Sequence, residues 1–218
     1  SALLNDICEF INKYVVLMPT QVDTLALWVL HTWTFSPCDT TAYISISSPE
    51  KGSGKTRTFQ VLEQLVREPM KLDGASPSVL FRAIDQDMPT LLFDEVDATF
   101  KGDKEAGQAI RQILNAGSVR GGRIARTSGG NFAVQYFDVF CPKAFAGIGK
   151  DTLPDTVIDR SIPIELKRKT KHEKTTRLRH RKFKEESAPL RERIEAWAEY
   201  NEDAVAQAID ADPYLPET

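Results

Sequence analysis

The sequence has few cysteines, few histidines and no long apolar run, and each shortage removes a class of function. Its three cysteines, Cys8, Cys38 and Cys141, are scattered and odd in number. That suits buried thiols in a reducing compartment, not a disulfide frame or a zinc site. His31 sits in an apolar helical stretch with no second metal-type ligand nearby, so a packed core histidine is expected. No stretch holds the ~20 apolar residues that cross a bilayer, and no signal-peptide pattern is visible. A cytoplasmic location without a membrane partner is therefore the expectation. What remains is 218 residues, 41% hydrophobic and 27% charged, ordinary for a soluble globular chain. The length suits one large domain, or a core domain with a small appendage.

The net charge of −3 decides nothing, but its distribution is informative. Basic residues dominate from Lys167 to Arg193, and from Glu195 onward the tail is acidic, with no Lys or Arg. Such a basic run can track a phosphate backbone, meet a partner protein, or form a solvated helical face.

The chain is organised around Tyr43–Thr56. A short apolar alternation, Tyr43 to Ser47, runs into a small-residue loop, and the loop ends in Gly54-Lys55-Thr56 before a helix-patterned segment. Strand, loop and helix in that order are the context a phosphate-binding loop requires. Loop amides and the helix N-terminus converge on an anion. Gly52 and Gly54 let the backbone approach without a Cβ, Lys55 can reach the β/γ-phosphates, and the Thr56 hydroxyl can hold Mg²⁺. Glu50, Lys51 and Ser53 complete the candidate nucleotide-binding loop. The strict pattern opens with Gly, and Pro49 stands there instead. The alternative reading is a Gly/Ser-rich turn with a chance lysine.

Downstream, Thr90-Leu91-Leu92-Phe93 reads as a strand buried on both faces that runs into Asp94-Glu95, 39 residues after Lys55. In a P-loop nucleotidase the first acid holds Mg²⁺, and Glu95 is placed to polarise the attacking water.

Apolar periodicity predicts helices over residues 3–17, from Asp23 or Thr24 to His31, from Thr56 to Arg67, from Ser76-Pro77 to about Ile84, and through Ala109–Gly117. Two β-rich runs around Ser128-Gly129-Gly130-Asn131 predict a hairpin carrying Arg120, Arg123 and Arg126. Strands are expected at Lys143–Gly147 and Ser161–Leu166. The basic piece Glu173–Glu186 reads as helical, with a further helix started by Ser187 and Pro189 and a core stripe of Leu190, Ile194 and Trp197.

With these motifs placed, the chain resembles an AAA+ type P-loop ATPase. More closely it is similar to the group called "domain of unknown function 3631", found in phage and bacterial proteins, often beside primase or helicase modules. The matching residues are Ser47–Lys51 with Lys55-Thr56, Leu91–Asp97, Leu114–Gly117, Ala144–Gly149 and Leu153–Ser161 with Ile162. The group's Ser-Pro-Glu opening accounts for Pro49. The resemblance implies a three-layer α/β fold with a central parallel sheet and a β-hairpin insertion. It divides the chain into an ATPase core at 1–166, including the N-terminal helices, and a basic, small helical C-terminal lid segment at 167–218.

The resemblance also implies Mg²⁺-dependent ATP hydrolysis by a ring, with a hexamer expected, that works on single-stranded or duplex DNA as a helicase in phage or mobile-element replication, with a primase or helicase as partner. Lys55, Asp94, Glu95 and Arg160 are the implied catalytic set, with Thr56 and Asp94 on the metal. Arg160 corresponds to a trans arginine finger, or is a structural arginine paired with Asp159 or Asp155. The hairpin corresponds to a pore hairpin or is an ordinary surface hairpin. Lys150 is the nearest substitute for the polar sensor, and residues Tyr14 to Thr20 are the implied base pocket. Relatives continue into more helical sequence, where a second sensor arginine is expected. The competing expectation is a nucleotide-dependent switch or assembly module acting on a protein partner.

Overall fold

In the computed structural model of the chain, the described residues are 2–50, 52–71, 77–94, 104–128, 133–148 and 153–211. Strand β1 (Tyr43–Ser48) lies inside a five-stranded, wholly parallel sheet with β2 (Pro69–Lys71), β3 (Thr90–Phe93), β6 (Lys143–Ile148) and β7 (Ser161–Glu165), in the order β2-β3-β6-β1-β7. A second, antiparallel pair is the hairpin of β4 (Arg123–Ser128) and β5 (Ala133–Asp138), in which Ile124 pairs with Phe137 and Arg126 with Gln135. Of its predicted turn, Ser128 to Asn131, Ser128 ends β4 and residues 129–131 lie outside the described set.

Both faces of the sheet are covered, as the near-continuous apolar runs of its inner strands require. Along β1 the side chains alternate. Ile44 and Ile46 face one helical layer, and Tyr43 faces the other. The first layer contains α1 (Ala2–Tyr14), α2 (Pro19–Thr34), α3 (Lys55–Leu65) and α7 (His180–Asp210). The second contains α4 (Pro77–Asp87), α5 (Lys104–Ala116), the one-turn α6 (Asp155–Ile158) and the inner face of the hairpin. Each fully buried aliphatic side chain on these faces contributes roughly 1.5–3 kcal/mol by leaving water.

The connections obey one handedness. The step from β1 outward to β2 passes through α3 on the first layer. The return steps, β2 to β3 through α4, β3 to β6 through α5 and β6 to β7 through α6, pass on the second layer. Opposite directions across the sheet with right-handed crossovers demand opposite faces. The chain therefore leaves the neighbouring strands β1 and β6 toward opposite layers. A crevice outside their carboxyl ends is the position where open parallel sheets bind ligands.

Three sequence expectations are corrected. Helix α1 stops at Tyr14, and Pro19 opens α2. Proline is preset for the first helical position, and the Met18 amide donates to Gln21 Oε1 at 3.1 Å. The basic piece is not helical from Glu173, because helix begins at His180 and the preceding residues form an irregular strap. Finally, Pro189 does not start a helix but lies inside α7. An interior proline costs about 3 kcal/mol. The stripe Phe183, Ser187, Leu190, Ile194 and Ala198 is buried on one side of the continuous helix, and that burial offsets the cost. Salt bridges Lys13–Glu186 at 2.7 Å and Arg193–Asp6 at 2.6 Å bind α7 to α1. No helix among the described residues is long and apolar enough to cross a membrane.

His31 is packed as expected. Its Nε2 shares a 2.8 Å hydrogen bond with Thr41 Oγ1, and its ring meets Phe35 edge-on. Burial lowers its pKa. All three cysteines are free thiols, with Cys141 buried and Cys8 and Cys38 half-buried.

Candidate functional site

The loop between β1 and α3 stands at the carboxyl edge of the sheet. Gly52 has φ +78° and Gly54 φ +98°, the left-handed region that glycine enters without steric cost. Nothing lies within 4 Å of where their Cβ atoms would stand, so the backbone turn, and not crowding, demands glycine. Ser48 Oγ and Ser53 Oγ both donate to the Glu50 carbonyl, at 2.7 and 2.9 Å. One acceptor thus gathers the strand end and the far side of the loop. Lys55 Nζ curls back and donates to Ser48 Oγ, so its ammonium is held over the loop mouth.

Gly54 caps α3, and the first helical bond runs from the Thr58 amide to the Gly54 carbonyl at 2.9 Å. The first-turn amides precede that bond, and with the helix dipole they make an end that attracts anions. Thr56 is exposed on this first turn. The Glu50 carboxylate points outward, 4.0 Å from Arg168. Lys51 lies outside the described residues.

Asp94 is half-buried just past β3. The register puts Phe93 level with Phe145 on β6, and Phe145 level with Ser45 on β1. Asp94 therefore stands on the same edge as the loop, two strand spacings or about 10 Å across. Glu95 and Lys150 lie outside the described residues.

Beside the loop is a cavity of about 170 Å³ lined by Tyr14, Val15, Val16, the Gly52-Ser53-Gly54 turn, Arg57, Lys167, Lys169 and Thr175. An apolar wall from the end of α1 thus faces three cations across a glycine turn. The family resemblance implied a base pocket at Tyr14–Thr20, and of those residues Tyr14, Val15 and Val16 line this cavity. Arg57, Lys167 and Lys169 were not anticipated. Arg57 follows directly on Thr56, and the two lysines open the basic run, so the signal was present but unplaced. Tyr14 is fixed by a 2.6 Å hydrogen bond from its hydroxyl to Glu186 Oε2. Burial, then that bond, push its pKa up to about 12. The Lys13 hydrogen bond, then the Tyr14 one, hold the Glu186 carboxyl below the ordinary range. A larger cavity of about 260 Å³, between Trp33, Arg67 and Glu199, contains none of these residues.

The remaining candidates are dispersed. Arg160 is exposed and stands just ahead of β7, with its carbonyl accepting from the Tyr43 amide at 3.0 Å and its guanidinium donating to the Thr156 carbonyl. Among the described residues it makes no ion pair with Asp155 or Asp159. Arg120 is spent on its own chain. It donates to the carbonyls of Cys38 and Ser36, stacks on Phe140 at 5.1 Å and lies 3.9 Å from Asp39. Arg126 turns inward to Gln112 Oε1 at 2.9 Å and covers the Phe81 ring. Arg123 is the one of the three on the outer, exposed face of the hairpin.

Sequence reading placed Lys143 only as the start of a strand. Its side chain is fully buried, and Nζ donates to the carbonyls of Gly117, Val139 and Cys141 at 3.1, 3.0 and 2.9 Å. It also lies 5.0 Å from the centre of the Tyr43 ring. All three ammonium protons are thus used, which is how a buried charge is tolerated. Burial still lowers its pKa. No protein-family model matches the chain, and no curated protein matches it significantly.

Proposed function

We propose that this protein is a Mg²⁺-dependent nucleoside triphosphate hydrolase of the AAA+ P-loop kind, with ATP as substrate. The observation that carries the reading is the junction of β1 and α3. A doubly left-handed glycine turn, a lysine curled over its mouth and a helix N-terminus meet at the switch point of a parallel sheet, with Asp94 on the same edge. The open space at Gly52 and Gly54 and the cation-lined cavity fit a triphosphate. In this reading the loop from Glu50 to Thr56 cradles the phosphates, and Lys55 offsets their charge. Thr56 and Asp94 would hold Mg²⁺, which neutralises charge on the β- and γ-oxygens. Glu95 orients and polarises the attacking water, Lys150 senses the γ-phosphate, and Arg160 is supplied by a neighbouring copy in a ring.

The test is equilibrium binding of a fluorescent ATP analogue with and without Mg²⁺. Wild type should bind, Lys55→Ala should lose binding, and Asp94→Asn should lose the Mg²⁺ dependence. Binding unchanged in Lys55→Ala would refute the assignment.

What hydrolysis drives has two readings. A DNA translocase or helicase serving phage or mobile-element replication follows from the family resemblance and predicts DNA-stimulated turnover. A nucleotide-dependent switch acting on a protein partner predicts slow turnover indifferent to DNA. It is favoured by one observation, that Arg120 ahead of the hairpin and Arg126 on it are held by their own chain.

A further inference from the structure

We propose that the strap and first helical turn from Lys167 to Lys184 form a sequence-independent docking surface for the phosphate backbone of nucleic acid. The segment carries ten Lys and Arg against one acid, Glu173, in a chain whose net charge is −3. Every one of those ten cations is exposed. The backbone beneath them is anchored. The Leu166 amide donates to the Ser47 carbonyl at 2.8 Å, the Thr176 amide to the Lys13 carbonyl at 2.8 Å, and Leu178 and Phe183 pack on the core. The single acid is turned back on the strap itself, accepting from the Thr170 amide at 2.6 Å. Arg181 and Lys182 have acidic neighbours one turn along α7, and Arg168 has Glu50. Lys171, Lys174, Arg177, Arg179 and Lys184 have no acidic partner among the described residues. The fold thus holds a row of uncompensated positive charge in a fixed place.

The composition of the strap says what that row fits. A protein partner needs apolar or aromatic anchors at the centre of its interface, and the two large apolar residues here, Leu178 and Phe183, are turned inward. Single-strand binders that grip bases use exposed aromatic platforms, and between Lys167 and Lys184 no Tyr or Trp occurs and the one Phe, Phe183, is buried. Phosphate contacts need cations alone and carry no sequence information. The row is also continuous with the cavity beside the glycine turn, since Lys167 and Lys169 line it. Nucleic acid on the strap would therefore meet residues that the proposed nucleotide site shares, although binding to the strap does not depend on that reading.

The experiment is fluorescence anisotropy with a labelled DNA duplex of arbitrary sequence, without nucleotide, across a salt series. It compares the wild type with the combined variant Lys171→Glu, Lys174→Glu, Arg177→Glu, whose changed residues are exposed coil and whose folding is checked by circular dichroism. The wild type should bind different sequences equally, and its affinity should fall steeply with salt. The variant should bind at least about tenfold more weakly, with a salt slope shallower by about 3. Wild type that fails to bind, a variant that binds as well as wild type, or polyglutamate binding as tightly as DNA would each overturn the proposal. So would loss on Arg123→Glu with the strap variant unaffected, which would move the contact to the hairpin.

Discussion

Arg160 and Lys55 stand at opposite ends of one strand. The Arg160 carbonyl accepts from Tyr43, the first residue of β1, and the Lys55 ammonium donates to Ser48, the last. Five strand steps separate those ends, about 16 Å, and the Arg160 guanidinium turns back to Thr156. In the proposed ring, Arg160 is therefore expected to serve the phosphate of a neighbouring copy and not that of its own loop. Arg160→Ala should leave nucleotide affinity within about twofold and lower turnover by about 10³ or more. Mixing it with excess Lys55→Ala protein should not restore activity beyond the share of subunit pairs that join an intact Arg160 to an intact Lys55. Turnover measured on such mixtures checks this, and normal activity in Arg160→Ala alone would remove the residue from the site.

A second prediction concerns the buried ammonium. A Cβ on Gly117 would stand 2.2 Å from the Val139 carbonyl oxygen and 2.4 Å from Lys143 Nζ. Gly117→Ala must displace the lysine or the backbone that accepts from it. Lys143→Met keeps the length of the side chain but strands the Val139 and Cys141 carbonyls, at a cost of roughly 1–3 kcal/mol for each left unsatisfied, and leaves the Gly117 carbonyl with the Cys141 amide. Both variants should lower the denaturant midpoint substantially. The double variant should lose less than the sum of the two, because they break one cluster. A fully additive result would contradict the shared origin.

The clasp of α1 on α7 predicts a pH profile. The Glu186 carboxyl is held below its ordinary range by Lys13 and Tyr14. Its contribution to stability is present above the unfolded value of about 4.3 and is lost as pH falls through the lower folded value. Tyr14 is shifted the other way, to about 12. Its contribution is present below the unfolded value of about 10 and is lost as pH rises toward the folded one. Tyr14→Phe should flatten the alkaline fall in Tm, and Glu186→Gln should flatten the acid fall. Tm against pH for the three proteins measures both arms, and identical profiles would show that the clasp contributes nothing.

The central junction was legible in the sequence because it is local. A β-alternation, two glycines and Gly-Lys-Thr lie within fourteen residues, and each forms its piece without distant help. The parallel sheet was legible in part, since the run at Thr90–Phe93 is apolar enough to need cover on both faces, and the rest of it came from the family resemblance. What failed depends on partners far along the chain. Pro189 reads as a helix start, but burial of Phe183 and Ile194 against the first layer carries the helix through it. Arg120 and Arg126 read as free cations, and their acceptors, Cys38 and Gln112, lie 82 and 14 residues away. Lys143 reads as a polar strand end, because its three carbonyls come together only in the fold.

The most direct test of the account is steady-state ATP hydrolysis by wild type and Glu95→Gln, with nucleotide binding followed on the same samples. The account predicts Mg²⁺-dependent turnover in the wild type and a loss of about 10² or more in the variant, the scale of a general base, with ATP still bound. Turnover that survives Glu95→Gln, or a wild type that neither binds nor hydrolyses any nucleoside triphosphate, would contradict it.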